Sequence, residues 1–80
     1  MSKLLRVPVK VREGDNGPVG FYWRGRLRLV ARVLERWLDA GRWWEGETEK
    51  EFFRVQVREG GVYELYRDRA GTWVLYRVFD

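Results

Sequence analysis

Period-two alternation over most of the chain, turn-forming clusters at short intervals and a last segment apolar on both faces predict an all-β fold. The expected architecture is about six antiparallel strands in a meander curled into a small barrel, with one short helix at about 34–40. The chain has 80 residues, read as a single domain over 1–80, near the size where one hydrophobic core is only just sufficient. It contains no cysteine and no histidine, so disulfides, thiolate metal sites and the commonest general base are all excluded. The core must come from packing, and five Trp, four Tyr and four Phe bury much area per residue.

The first strand is LLRVPVKVR (4–12), with Leu5, Val7, Val9 and Val11 facing one way and Arg6, Lys10 and Arg12 the other. Pro8 cannot donate to a ladder, which places this strand at a sheet edge. EGDNGP (13–18) is a turn by composition. VGFYWR (19–24) follows, with Val19, Phe21 and Trp23 on one face, and Arg24-Gly25 reads as a tight hairpin turn. Residues 26–40 carry two patterns. As a strand, Leu27, Leu29, Ala31 and Val33 form one face and Arg26, Arg28, Arg32 and Arg36 the other. As a helix, Val30, Val33, Leu34, Trp37 and Leu38 make an amphipathic stripe. The like charges at i, i+4 (Arg28, Arg32, Arg36; Glu35, Asp39) oppose a long helix. The expectation is a strand over 26–34 and a short helical turn ending at Gly41.

EFFRVQVRE (51–59) is a strand with Phe53, Val55 and Val57 inward, and Gly60-Gly61 suits a type I′ hairpin. VYELYRD (62–68) is the next strand, DRAG a turn, and TWVLYRVF (72–79) the last strand. Trp73, Leu75 and Phe79 lie on one of its faces, and Val74, Tyr76 and Val78 on the other. Both faces must be covered, by barrel closure, a helix or a second subunit.

No Ser/His/Asp set, phosphate-cradling glycine loop or metal-ligand spacing is present, which argues against an enzyme. No cofactor is expected. Glu45, Glu47, Glu49 and Glu51 are read as a solvated loop before a strand in preference to a hard-cation site. Glu64 and Asp68 share a face and are expected to pair with arginines on neighbouring strands. No segment resembles a signal peptide or a membrane span, so a soluble cytoplasmic protein with no membrane partner is expected. Thirteen Arg against three Lys, with one Asn, one Gln and one Met, fits a heat-adapted source and equally GC-rich coding.

The net charge of +4 is uneven. Residues 1–42 hold ten basic and four acidic side chains, and residues 43–80 hold six and eight. Arginines interleaved with aromatics suit a surface that tracks phosphates and stacks bases. Tyr22, Arg24, Arg26, Arg28, Arg32 and Arg54 are the candidates for contact with single- or double-stranded DNA. The plainer reading of the same residues is a solvated face partly neutralised by carboxylates. The pair Trp43-Trp44 sits between Gly41 and Gly46. It reads either as a lid plus rim on the open end of the sheet or as a protein-binding hot spot. With Val74, Tyr76 and Val78 it makes up the candidate surface for a protein partner or a second copy of the chain.

The run FYWRG, VARVLERW, GRWWEGE, FFRV, VYELYRD and TWVLYRVFD resembles a family of small uncharacterised bacterial domains, from about residue 18 to the C-terminus. Its later part also resembles the C-terminal segment of the polymerase-like accessory proteins of bacterial mutagenic translesion synthesis, relatives of Y-family DNA polymerases. That resemblance implies a binding or scaffolding module near DNA repair, concerned with partner recruitment more than with chemistry.

Overall fold

The computed structural model describes residues 2–79. Met1 and Asp80, the aspartate that closes the C-terminal pattern, lie outside the described residues. The strands are β1 (Ser2–Pro8), β2 (Val11–Gly14), β3 (Gly17–Trp23), β4 (Arg26–Asp39), β5 (Lys50–Val57), β6 (Val62–Asp68) and β7 (Trp73–Phe79), with a 3₁₀ turn at Trp43–Glu45. They form one antiparallel sheet in the order β1-β7-β6-β5-β4-β3-β2. The all-β expectation holds, with seven strands among the described residues where about six were expected.

The extra strand comes from the first segment. Leu5, Val7, Val9 and Val11 do all pack against the core, but the run is broken between Pro8 and Val11. β1 pairs with β7 at one edge of the sheet, and β2 pairs with β3 at the other. Val9 and Lys10 span the gap, the Val9 amide donating to the Trp73 carbonyl and the Lys10 carbonyl accepting from the Tyr22 amide. Pro8 thus sits on an edge strand, where its missing N–H costs no ladder bond. The two edges are joined by this covalent link and not by a β1-β2 ladder, so the sheet curls without closing into a barrel.

No helix forms at 34–40; β4 runs on as a strand to Asp39. Its apolar spacing imitates a helix because two bulges interrupt its ladder with β5. Val30 pairs with Val57 and Arg32 with Gln56, then Val33 with Val55 and Glu35 with Arg54. Ala31 and Leu34 are therefore extra residues, and each shifts the phase of the alternation by one. Val30 and Val33 both reach the core side three residues apart, which is a helical interval.

The turns set the registers. Arg24 and Gly25 have φ of 53° and 74°, the positive pair that a two-residue type I′ turn needs. That turn places Trp23 opposite Arg26 and Phe21 opposite Arg28. Gly60 lies instead in a three-residue loop: the Gly60 amide donates to the Val57 carbonyl, and the Val57 amide to the Gly61 carbonyl. Gly60 has φ 102°, which fits the bulged type of hairpin.

Phe21, Phe53, Leu65, Leu75 and Val55 are fully buried on the concave side, with Val57 and Trp73 beside them. Each such side chain contributes about 1.5–3 kcal/mol by leaving water. The convex side carries a second aromatic layer. Trp37 stacks on Phe52 with ring centroids 5.3 Å apart, and Phe52 and Tyr66 both meet Tyr76. This layer covers the outer face of β7, so barrel closure is not needed to bury Val74.

Candidate binding surfaces

The six residues read as a nucleic-acid face do not share one surface. Arg26 and Arg28 stand across the hairpin from Trp23 and Phe21, on the concave side, whereas Tyr22 stands opposite Leu27 on the convex side. The expectation that Arg26 and Arg28 point outward beside Tyr22 is corrected by the register of the two-residue turn. Only 14% of the Arg28 side chain is exposed. Both arginines reach Glu59 at 3.4 Å. Tyr22 accepts a hydrogen bond from Arg12 at 3.1 Å. Arg32 is exposed opposite Gln56.

Arg54 is the most committed of the set. It pairs with Glu35 at 2.9 Å and with the buried Glu64 at 2.8 Å. Its guanidinium also lies against the Trp37 and Phe79 rings, 5.5 and 5.3 Å from their centroids. The expected pairing of Glu64 with a neighbouring strand is therefore present, and it occupies Arg54 as a structural cation.

Arg24, Arg28 and Lys3 do come together. With Trp23 and Tyr63 they line a half-enclosed cavity of about 320 Å³, Leu5 and Val78 supplying its apolar wall. Lys3 was not among the sequence candidates. The signal for it was the pairing of the two termini, which a single strand over 4–12 conceals.

At the opposite end lies a salt-bridge network. Glu51 accepts from Arg36 and from Arg67, each at 2.7 Å, and Arg67 also pairs with Glu13. Partial desolvation pushes the Glu51 carboxyl up, but the bonds and charges of Arg36 and Arg67 outweigh it and hold the group below its ordinary value. The Glu51 bond and charge likewise raise Arg67 against its desolvation. Glu45, Glu47 and Glu49 are exposed, and no group of three acidic side chains placed to hold a metal ion occurs among the described residues. No helix among them is long and apolar enough to cross a membrane.

The Trp43-Trp44 corner is built by its own backbone. The Asp39 carboxylate accepts from the Gly41 amide at 2.8 Å, and the Arg42 carbonyl accepts from the Glu45 and Glu47 amides. Gly41 and Gly46 have φ of 70° and 84°, left-handed values that glycine adopts without a Cβ penalty. Gly41 is further confined, since a Cβ there would stand 2.9 Å from the Thr48 carbonyl oxygen. The indoles meet edge to face at 5.7 Å, and they are 74% and 66% exposed. Neither covers the core, which corrects the lid reading.

This corner follows the free part of β4. Only Arg26–Leu29 pair with β3; from Val30 to Asp39 the strand is laddered to β5 alone among the described residues. Leu34 and Leu38 are exposed along this stretch. Of the other protein-contact candidates, Val74 is buried, Tyr76 packs on Phe52 and Tyr66, and Val78 turns toward the core opposite Tyr63. The displacement of Val78 from the face of Val74 comes from a bulge at Tyr76, where Glu64 pairs with Arg77 but Leu65 with Leu75.

These features define a small all-β domain with an open strand edge, an exposed indole pair and a cationic cavity. The chain belongs to the family described as Domain of unknown function (DUF6504), whose model matches residues 4–80. No curated protein and no solved structure matches the chain.

Proposed function

We propose that this domain is a non-catalytic docking module of the cytoplasm. It takes an extended segment of a partner protein along the free edge of β4, with Trp43 and Trp44 as anchors. The observation that carries this reading is the exposed indole pair at the end of ten residues of strand that, among the described residues, are laddered on one edge only. Main-chain groups along an open edge supply hydrogen bonds for an added strand, and tryptophan is the residue type most enriched among interface hot spots. Arg32, Glu35, Arg36 and Asp39 line the same stretch with both signs of charge, a pattern that discourages indiscriminate edge pairing while leaving a specific partner possible. The resemblance of the later half to a segment linked to partner recruitment in translesion synthesis is in keeping with the same reading, and DNA repair is the setting we propose for it.

The test is selection of extended peptides from a display library, followed by mapping of amide and indole shifts. Selected peptides should move the amides of residues 30–39 and the indole signals of Trp43 and Trp44, and Trp43→Ala with Trp44→Ala should abolish binding. Peptides that bind elsewhere, or a self-associated chain with residues 30–39 already covered, would overturn the peptide-docking reading.

A second reading, contact with nucleic acid, is favoured by one observation: Arg24, Arg28 and Lys3 line one cavity in whose wall no described residue supplies a carboxylate. A salt-dependent titration with single- and double-stranded DNA tests it, since each single-strand phosphate neutralised adds roughly −0.7 to the slope of log affinity against log salt.

A further inference from the structure

The cavity between the N-terminal end of β1 and the β3-β4 turn has features that a solvated arginine face lacks. Three cationic side chains line it and, among the described residues, no carboxylate does. Arg28 is under-bonded there. Its contacts to Glu59 and to the Trp23 carbonyl are both 3.4 Å, long for charge-assisted bonds, and its Nε is buried without a partner. Its terminal nitrogens, held by these long contacts, keep capacity for a stronger oxyanion acceptor. Arg24 holds φ 53°, a conformation that disfavours any residue with a Cβ, and its guanidinium lies 5.3 Å from the Trp23 ring centroid.

We infer that this cavity receives the terminal phosphate of a nucleic-acid strand, with the attached nucleoside against Trp23 and Tyr63. The inference rests on the nucleic-acid reading above and is independent of docking on β4. Shape selects a terminus: a volume of about 320 Å³ is at the small end of ligand pockets, and a half-enclosed hollow admits a group that ends in it more readily than a backbone passing through. Charge selects it too, because a phosphate monoester carries about −1.5 to −2 near neutral pH, against −1 for an internal diester. Lys3 is a mobile point charge, whereas Arg24 and Arg28 offer planar donor pairs to oxygen. The aromatic side chains give a stacking surface that does not depend on base identity.

The experiment is a titration of the isotope-labelled domain, controlled with a phosphoserine peptide, against a set of probes. These are inorganic phosphate, adenosine monophosphate, and a short single-stranded oligonucleotide with and without a terminal phosphate, tried at the 5′ and the 3′ end. The phosphorylated oligonucleotide should bind about tenfold more tightly than the unphosphorylated one, the size of one added charge-assisted contact. It should move the Trp23 indole signal and the Lys3 and Arg24 amides. Arg24→Gly suits the positive φ, so it should keep or raise the melting temperature while removing most of the preference, and Lys3→Gln should reduce it without unfolding. Equal binding of both oligonucleotides with no shift at the cavity would overturn the pocket and leave the nucleic-acid reading standing. Binding of neither would overturn both. Equal affinity for inorganic phosphate, or tighter binding of a phosphoserine peptide used as control, would overturn the assignment to a strand end.

Discussion

Arg54 and Arg32 are both convex-side arginines in the sequence pattern, yet their environments differ by everything that decides energy. Arg54 neutralises Glu64, which is buried, and its own side chain is 38% exposed; Arg32 has solvent around it. Removing one partner of a buried pair leaves a stranded charge. Arg54→Ala should therefore destabilise the domain by about 2–3 kcal/mol, reduced from the fully buried case by that exposure and by Arg77 at 3.9 Å from Glu64. Arg32→Ala should stay within about 0.5 kcal/mol. Urea unfolding of the two variants separates them, and equal losses would contradict the assigned roles. Glu51 makes a prediction in pH. Its carboxyl is depressed in the folded protein, so its bonds to Arg36 and Arg67 stabilise the fold above the unfolded value of about 4.3 and are lost as pH falls through the lower folded value. Unfolding free energy measured from pH 6 to pH 3 should fall less steeply in Glu51→Gln than in the parent chain. At this scale the sequence shows which residues are charged and aromatic, but which carboxylate claims which arginine depends on register, and Arg54 was legible only as one cation among thirteen arginines.

β4 shows why regular strands were readable while element faces, and the type of the bulged stretch 34–39 expected as a helical turn, were not. Alternation, paired glycines and turn clusters locate strands β3, β5, β6 and β7 because those signals are local. Bulges are not local: Ala31, Leu34, Val19 and Tyr76 each lie where two residues oppose one or where a register shifts, and each reverses the apparent inside and outside of the residues after it. The facing of Arg26 and Arg28 was legible in principle. A two-residue turn at Arg24-Gly25 with Phe21 and Trp23 inward commits Arg26 and Arg28 to the same side, and a turn overrides an outward reading based on charge alone. The free edge of β4 arises from pairing over the whole sheet and has no sequence signature. It does have an exchange signature. Over residues 35–39, where no bulge intervenes, alternate amides donate to β5 and the others face the unpaired edge. Amide hydrogen exchange should alternate between slow and fast along that stretch. Uniformly slow exchange would mean that a second copy or another segment covers the edge.

The whole molecule places its stability and its exposed anchors in separate regions. Phe53, Leu65 and Leu75 are fully buried in the concave core, and Phe53 also meets the Trp73 ring at 5.4 Å. A domain of 80 residues has about 4–12 kcal/mol of total stability at the usual 0.05–0.15 kcal/mol per residue. Phe53→Ala should remove about 3–5 kcal/mol of it, at least about a quarter of the total, and lower the urea midpoint in proportion. Trp43 and Trp44 have the same aromatic bulk but contribute little of that core burial, being mostly exposed on a corner whose shape is fixed by backbone bonds and two left-handed glycines. Replacing both by serine should change the unfolding free energy by less than about 0.5 kcal/mol per site, and should remove two large exposed apolar side chains. If the indoles are docking anchors, the double variant keeps its melting temperature and loses the selected peptide partner. If their edge-to-face contact instead holds the corner in shape, the same variant melts several degrees lower, since about 1 kcal/mol shifts the midpoint of a domain this size by roughly 4–8 °C. One thermal scan and one binding titration on the same protein decide between them, because stability and binding move in different combinations under the two readings.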